Sequence, residues 1–361
     1  MSPRLLTVAS VALALSLAGC SSSEQSPGFT SSGDASADAG PVATDAGIVW
    51  PDADPHPDAA PGPHPGFEGG APEGGAFTCS GKAGKSGERT ISLQSGGLLR
   101  TSIVHVPDSY DATHATMLVL NFHGFSSAGW QEALLSRMSG AADQRGFIVA
   151  YPEGVATSWN AGDCCGTAWT DSVDDIAFTK ALLDKLESDY CIDPKRVYAT
   201  GMSNGGFFSH RVGCELADRF AAIAPVAGVL GLPASQCKPS RPLPIIDFHG
   251  TSDPLVPYDG GTPILPTLGA GLVFTSVADT MRFWQLNNGC SGDTKTIYQH
   301  GDATCVEWPD CQARATTVLC TIDAGGHTWP GGLPVPPLGK TSSDLDATST
   351  MLDFFQAHPL P

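Results

Sequence analysis

Residues 197–206 read VYATGMSNGG, a run of strand-forming residues followed directly by a glycine-rich turn. Ser203 stands between Gly201 and Gly205 in a G-x-S-x-G pattern. A serine in this pattern sits on a tight strand-to-helix turn, where larger side chains at the glycine positions would clash with the crossing elements. The helix that follows favours negative charge developing at its N-terminus. Because short motifs arise by chance, the pattern indicates a nucleophile only if the chain also supplies a base and an acid.

Strands and helices alternate through the chain around this motif. Continuous apolar runs are typical of strands buried on both faces, and apolar residues with a period near 3.6 indicate helices. The alternation predicts one α/β domain, residues 77–361, with a mainly parallel sheet and helices on both faces. The predicted strands cover residues 102–106, 117–122, 147–151, 196–200, 220–226, 243–248 and 316–322, and the predicted helices cover residues 130–144, 174–186, 205–216, 277–286 and 345–357.

Two later strands are followed by the residues that a serine nucleophile needs. In an open α/β sheet, reactive groups gather beyond the carboxyl ends of the strands. A serine hydroxyl requires a base, and that base requires a carboxylate that fixes its tautomer. Asp253 follows the strand at 243–248, and His327 lies in a glycine-bounded loop after the strand at 316–322. The chain order Ser, Asp, His is the order found in α/β-hydrolases.

Other acids and histidines offer weaker candidates for these roles. Asp247 is the rival acid, but it falls inside a predicted strand. His249 ends the same strand and is interpreted as a packed structural residue. Acyl transfer also needs N–H donors for an oxyanion. We predict these donors to be the backbone N–H groups of Asn204 and Phe125, with Gly124 as the alternative to Phe125.

The N-terminal part of the chain has the features of an export signal and a tether. An apolar run too short to span a bilayer ends at Leu-Ala-Gly-Cys, which resembles a bacterial lipobox. Residues 1–19 are therefore predicted to be a lipoprotein signal peptide, with lipid attached to Cys20 and sorting to the outer membrane or cell surface. Residues 20–76 are rich in Pro, Ala, Gly and Ser, have no Lys or Arg, and predict an acidic disordered tether.

Charge and cysteine content narrow the class of protein further. The formal net charge is −18 with no Lys/Arg cluster, which argues against nucleic acid as a partner. Ten of the eleven cysteines remain after Cys20, and an even number in an exported chain predicts several disulfides. Cys290–Cys320 is the predicted first pair, and adjacent Cys164 and Cys165 are not expected to join. No cysteine spacing is typical of a zinc site, so no metal is predicted.

Six segments together resemble the feruloyl esterase and polyhydroxybutyrate depolymerase-like family, within carbohydrate esterase family one. The resemblance implies an α/β-hydrolase fold, no cofactor, and ester hydrolysis through Ser203, His327 and Asp253. It leaves the substrate open between feruloyl or acetyl esters of plant cell-wall polysaccharide and hydroxybutyrate polymers or oligomers. The segments are NFHGFSS (121–127), WNAGDCCG (159–166), VDDIAF (173–178), a long run around the serine (193–228), FHGTSDPLVPYDG (248–260) and GGHTWPGG (325–332).

Aromatic residues near these segments are candidates for a substrate pocket. Trp329 stands two residues after His327, and Trp159 and Trp169 follow an earlier strand. They are expected either to form a wall for an aromatic acyl group or to pack in the core. Tyr258 begins a Gly/Pro-rich loop predicted to cover the acyl pocket. Two other functions stay open from the sequence, a serine peptidase of the same fold and a binding lipoprotein without catalysis.

Overall fold

The computed structural model describes residues 81–263 and 272–361, together with Pro65, Phe67 and Cys79. The predicted signal peptide, the lipidation site at Cys20 and nearly all of the predicted tether lie outside the described residues. Within the described part, no helix is both long and apolar enough to cross a bilayer.

The described residues form a ten-stranded sheet in the order β1-β2-β4-β3-β5-β6-β7-β10-β9-β8. The six central strands, from β4 to β10, run parallel, while β1 and β2 at one edge and β9 and β8 at the other pair antiparallel. This arrangement confirms the predicted α/β class. The strands are β1 (Gly87–Ser95), β2 (Leu98–Val106), β3 (Thr116–Phe122), β4 (Ile148–Pro152), β5 (Ile192–Met202), β6 (Ala222–Val226), β7 (Ile245–Gly250), β8 (Lys295–His300), β9 (Ala303–Trp308) and β10 (Thr317–Ile322).

Helices cover both faces of this sheet. Phe122 of β3 pairs with Gly201 of β5, and Tyr198 precedes Gly201 by three residues. Because side chains alternate between the faces of a sheet, Phe122 and Tyr198 point to opposite faces. Phe122 contacts Phe208 of α5, while Tyr198 stacks on Phe355 of α7. The helices are α1 (Gly129–Ser136), α2 (Met138–Arg145), α3 (Gly166–Thr170), α4 (Asp175–Asp189), α5 (Asn204–Glu215), α6 (Val277–Asn287) and α7 (Ala347–Ala357).

Several elements differ from the sequence-based prediction. The predicted helix 130–144 is divided into α1 and α2, because Arg137 between them adopts a left-handed conformation with φ of 54°. The strands β1, β8 and β9 and the short helix α3 were not predicted. These strands pair antiparallel at the two edges of the sheet, and β1 alternates between half-buried and exposed residues. Such strands lack the continuous apolar runs of the central ones.

The disulfides correct the predicted cysteine pairing. Cys320 lies in β10 directly opposite Cys305 of β9, and these two residues are joined. Cys290, just after α6, pairs instead with Cys311, so the predicted Cys290–Cys320 bond is wrong. Cys164 and Cys165 are joined to each other, which was not expected. The remaining described bonds are Cys79–Cys191 and Cys214–Cys237.

Candidate active site

Ser203 occupies the turn between β5 and α5 with a strained backbone. Its φ and ψ are 56° and −123°, in a region that non-glycine residues rarely adopt. A Cβ on Gly201 would lie 2.4 Å from the carbonyl oxygen of Phe122, and one on Gly205 would lie 1.9 Å from the same atom. Only glycine therefore fits at either position. The turn brings β5 and α5 against β3 and presents Ser203 at the start of the helix.

Asp253 and His327 meet beyond the carboxyl ends of β7 and β10, which are neighbours in the sheet. Nδ1 of His327 lies 2.7 Å from Oδ2 of Asp253, and both side chains are buried. A carboxylate at this place fixes the proton on Nδ1 and leaves Nε2 free to act as a base. The rival acid, Asp247, lies inside β7 and faces His210 at 3.3 Å. The structure therefore pairs His327 with Asp253 and not with Asp247.

The Asp253 carboxylate is held by several donors in its own loop. Oδ1 accepts hydrogen bonds from the backbone N–H groups of Leu255 and Val256, each at 2.8 Å. Burial by itself would raise the pKa of Asp253. The opposing effects of His327, His249 and the Val256 N–H are together larger and hold this pKa below its usual value. Asp253 is thus an ionised acceptor for the imidazole.

Ser203 lies at the same edge of the sheet as Asp253 and His327. Its backbone N–H donates to the carbonyl of Val226 at the end of β6, and the next residue, Ala227, donates to Phe248 of β7. The turn that carries Ser203 and the segment that follows β6 are thereby fixed side by side. Among the described residues, no hydrogen bond joins the Ser203 hydroxyl to His327. Catalytic hydrogen bonds are often long in ligand-free structures and tighten when substrate binds.

The loop after β3 lies directly against Ser203. A Cβ on Gly124 would be 3.4 Å from that of Ser203. His123 accepts from Gly154 N–H at Nε2, so its Nδ1 carries the proton and donates to the Gly124 carbonyl at 2.8 Å. Burial lowers the pKa of His123 to about 4, which keeps the ring neutral at neutral pH.

The Gly124 carbonyl in turn orients the N–H of Phe125. The two groups belong to one trans peptide and point in opposite directions, so fixing the carbonyl fixes the N–H. In the described part of the chain, neither this N–H nor that of Asn204 at the start of α5 has a hydrogen-bond acceptor. Two unpaired donors near a serine are the arrangement that an oxyanion requires.

The side chain of Asn204 has a role that the sequence analysis missed. Its Oδ1 accepts from Trp159 N–H at 2.7 Å, and its Nδ2 donates to the Trp159 carbonyl at 3.0 Å. The Trp159 indole, fully buried, donates to the carbonyl of His123 at 2.9 Å. Asn204, Trp159 and His123 thus connect the two loops that carry the unpaired N–H groups. The position of Asn204 directly after Ser203 could have indicated this role. The contact of its side chain with the Trp159 backbone could not be predicted from sequence spacing.

The residues suggested for a substrate pocket fall in different places. Trp329 does not fit a pocket wall, because its indole is completely buried and donates to Thr348 of α7. Trp169 is 39 % exposed on α3. Tyr258 is half-buried, and its hydroxyl lies 2.9 Å from that of Thr321. Of the predicted Gly/Pro-rich loop, residues 264–271 lie outside the described residues.

No residue group within the described ranges has the composition and proximity of a metal site. No group of three or more His, Cys, Asp or Glu side chains in them is arranged so that it could hold a metal ion.

Several known proteins are similar to this chain in sequence. The chain is 33 % identical over 258 residues to "Putative esterase NocK" of Nocardia uniformis subsp. tsuyamanensis, covering 66 % of this chain and 73 % of that protein. The chain belongs to the α/β-hydrolase esterases. The profile of the prolyl oligopeptidase family matches residues 135–267 of this esterase-family chain.

Two further relatives in the esterase family are larger proteins. "Feruloyl esterase B" of Piromyces equi is 36 % identical over 63 % of the chain, which spans 42 % of that protein. "Bifunctional acetylxylan esterase/xylanase XynS20E" of Neocallimastix patriciarum is 28 % identical over 62 % of the chain, which spans 31 % of that protein. Among solved structures, an acetyl xylan esterase from Aspergillus awamori aligns with a TM-score of 0.48 at 14 % identity, over 66 % of this chain and 94 % of that one.

Proposed function

We propose that this protein is a serine esterase that hydrolyses carboxylic esters through Ser203, His327 and Asp253. The observation that carries the proposal is the 2.7 Å contact between His327 and Asp253 at the sheet edge where the strained Ser203 turn lies. This contact orients an imidazole, while the strained turn places the Ser203 hydroxyl beside unpaired N–H donors.

In the proposed reaction, Ser203 Oγ attacks the ester carbonyl while Nε2 of His327 takes the hydroxyl proton. The tetrahedral oxyanion accepts hydrogen bonds from the N–H groups of Phe125 and Asn204. His327 then returns the proton to the departing alcohol, which leaves an acyl-serine. Water attacks the acyl-serine by the same proton path, releasing the acid and restoring the serine.

We infer esters of plant cell-wall polysaccharide, feruloyl or acetyl, as the substrate class. Support comes from the names of the relatives from Piromyces equi and Neocallimastix patriciarum, one a feruloyl esterase and the other acting on acetylxylan. The described disulfides are typical of proteins that work outside the cytoplasm, where such polysaccharides occur. Anchoring through a lipid on Cys20 completes the proposal of a surface-tethered enzyme.

A Ser203→Ala variant tests the chemistry. It is expected to lose hydrolysis of p-nitrophenyl acetate and labelling by a fluorophosphonate, while keeping the circular dichroism spectrum of the wild type. Ser252→Ala is the matched control, because Ser252 is exposed in the loop beside Asp253 and bonds through its backbone alone. Activity retained by Ser203→Ala would refute the proposal.

The substrate class has its own test on the wild-type protein. Release of acid is measured from methyl ferulate, acetylated xylan, hydroxybutyrate oligomers and a proline-containing peptide amide. Faster release from the first two supports cell-wall esters. Preference for the oligomers would make the protein a polyester depolymerase, and preference for the peptide would make it a peptidase.

A further inference from the structure

A second histidine contacts the Asp253 carboxylate from β7. Nε2 of His249 lies 3.5 Å from Oδ2 of Asp253, the same oxygen that contacts His327. His249 is essentially inaccessible to solvent. The carboxylate oxygen that accepts from His327 is therefore shared between two imidazoles, and only that of His327 has a role in the proposed reaction.

The protonation state of His249 follows from its other neighbour. Nε2 lies 2.8 Å from the carbonyl oxygen of Val256, which can only accept a hydrogen bond, so Nε2 carries a proton. Nδ1 has no partner among the described residues. The contact with Val256 and the unpartnered Nδ1 together place the donating N–H of the ring at Nε2. Its N–H points at Val256 and lies within reach of Asp253.

Two other groups lie close to His249 on this side of β7. The ring of Tyr258 meets the His249 ring edge-on at 5.9 Å. Asp247, two residues earlier on the same face of β7, faces His210 of α5. His249 thus holds the Asp253 loop from inside the protein, through its contact with the Val256 carbonyl and its contact with the Asp253 carboxylate.

We propose that His249 is a positioning residue, which holds the Asp253 carboxylate and the Val256 backbone in the geometry that His327 requires. The inference rests on the proposed function, since it assigns His249 to the same Ser203 reaction. Oδ1 of Asp253 is fixed by two N–H groups of its own loop, one of them that of Val256. His249 fixes that loop through the Val256 carbonyl and limits rotation of Oδ2. Without it, the carboxylate would orient the imidazole less firmly.

Two substitutions of similar size separate positioning from packing. In His249→Gln, the side-chain amide places an N–H at about the same distance from the backbone as Nε2. His249→Met has a similar length and volume but no donor. We expect the Met variant to lose about 5–10-fold in kcat with KM within about twofold of wild type, and the Gln variant to recover most of that loss. Both are measured with p-nitrophenyl acetate.

A control and a second variant keep the test decisive. His210→Met removes another fully buried histidine beside an aspartate, outside the Asp253 loop, and should lower the melting temperature without the fall in kcat. If His249→Met does not fold, His249→Asn replaces it, because its shorter amide cannot reach the Val256 carbonyl. Equal losses in the Gln and Met variants, or a change in KM alone, would overturn the positioning role.

Failure of the proposed function would be visible separately. Ser203→Ala and fluorophosphonate labelling report on the nucleophile. The proton between His327 and Asp253 is observed separately, as a downfield resonance in the ¹H NMR spectrum. This resonance should be present in the wild type and in His249→Gln, and shifted or broadened in His249→Met. An unchanged resonance in the Met variant would refute the role of His249 whatever the activity proves to be.

Discussion

The imidazole of His123 donates to the carbonyl oxygen of the very next residue, Gly124, at 2.8 Å. This bond turns the following N–H, that of Phe125, away from the loop and leaves it unpaired among the described residues. A buried neutral ring therefore sets the direction of a donor that it never touches. In the proposed reaction, the direction of the Phe125 oxyanion donor therefore follows from the bond between His123 and Gly124.

His123→Ala is expected to reduce kcat by about 10²-fold, since a misdirected donor loses much of the stabilisation that one oxyanion-hole N–H supplies. His123→Asn should lose less, because its amide nitrogen takes the place of Nδ1 and can still donate to Gly124. Steady-state kinetics with p-nitrophenyl acetate measure both. Equal kcat in the Ala variant and the wild type would contradict this account of the loop.

The turn glycines give a stability test with an internal control. Gly205→Ala should prevent correct folding, because its Cβ would lie 1.9 Å from the Phe122 carbonyl oxygen. Gly140 in α2 has open space around its Cβ position, and Gly140→Ala should stabilise the protein by about 0.5–1 kcal/mol. Yield of soluble protein and thermal unfolding report the difference. A well-folded Gly205→Ala protein would show that the turn tolerates a side chain.

Glu132 of α1 predicts a pH dependence of stability. Burial raises the pKa of this carboxyl to about 8, so the folded protein keeps it protonated where the unfolded chain ionises it. The unfolded state then binds fewer protons between about pH 4.5 and 8, and stability falls as pH rises through that window. Glu132→Gln removes this loss and should gain stability relative to the wild type by about 3–5 kcal/mol at pH 8, with little gain at pH 4.

Urea unfolding at several pH values measures this gain, with Glu88→Gln as the exposed control. The control should change the free energy of unfolding little at any pH. A Glu132→Gln gain that does not grow with pH would mean that Glu132 is ionised in the folded protein.

We expect the ion pair between Arg100 of β2 and Asp175 of α4 to make the free energy of unfolding sensitive to replacement of Arg100. Their contact is 2.7 Å, and both side chains are almost fully buried. Arg100→Met leaves the carboxylate buried without its cation and should lower the free energy of unfolding by about 3–5 kcal/mol. The exposed pair of Lys185 and Asp189 is the comparison, and Lys185→Met should cost less than about 1 kcal/mol. Similar losses in the two variants would contradict the importance of burial.

The central part of the fold could be predicted because its strands are buried on both faces. Residues 117–122 are apolar apart from Asn121, residues 243–248 are apolar apart from Asp247, and the two runs correspond to β3 and β7 within a few residues. The order of Ser203, Asp253 and His327 placed all three at one edge of the sheet. Their side-chain contacts could not be predicted, since they depend on loop conformation.

The missed features depend on contacts between distant parts of the chain. Cys320 could be paired only by knowing that β9 exists and places Cys305 opposite it. Trp329 is close to His327 in sequence, but its indole turns inward to Thr348 of α7. Sequence spacing gives no information on which way a loop side chain points.

The position of β10 has a consequence for when the protein can become active during its synthesis. This strand is the last of the described sheet to be made, yet it lies inside the sheet between β7 and β9. His327 follows it directly. A chain that is still being made therefore contains Ser203 and Asp253 before His327, the base of the proposed reaction. The proposed reaction can therefore start only after residue 327 has been made and β10 has taken its place between β7 and β9.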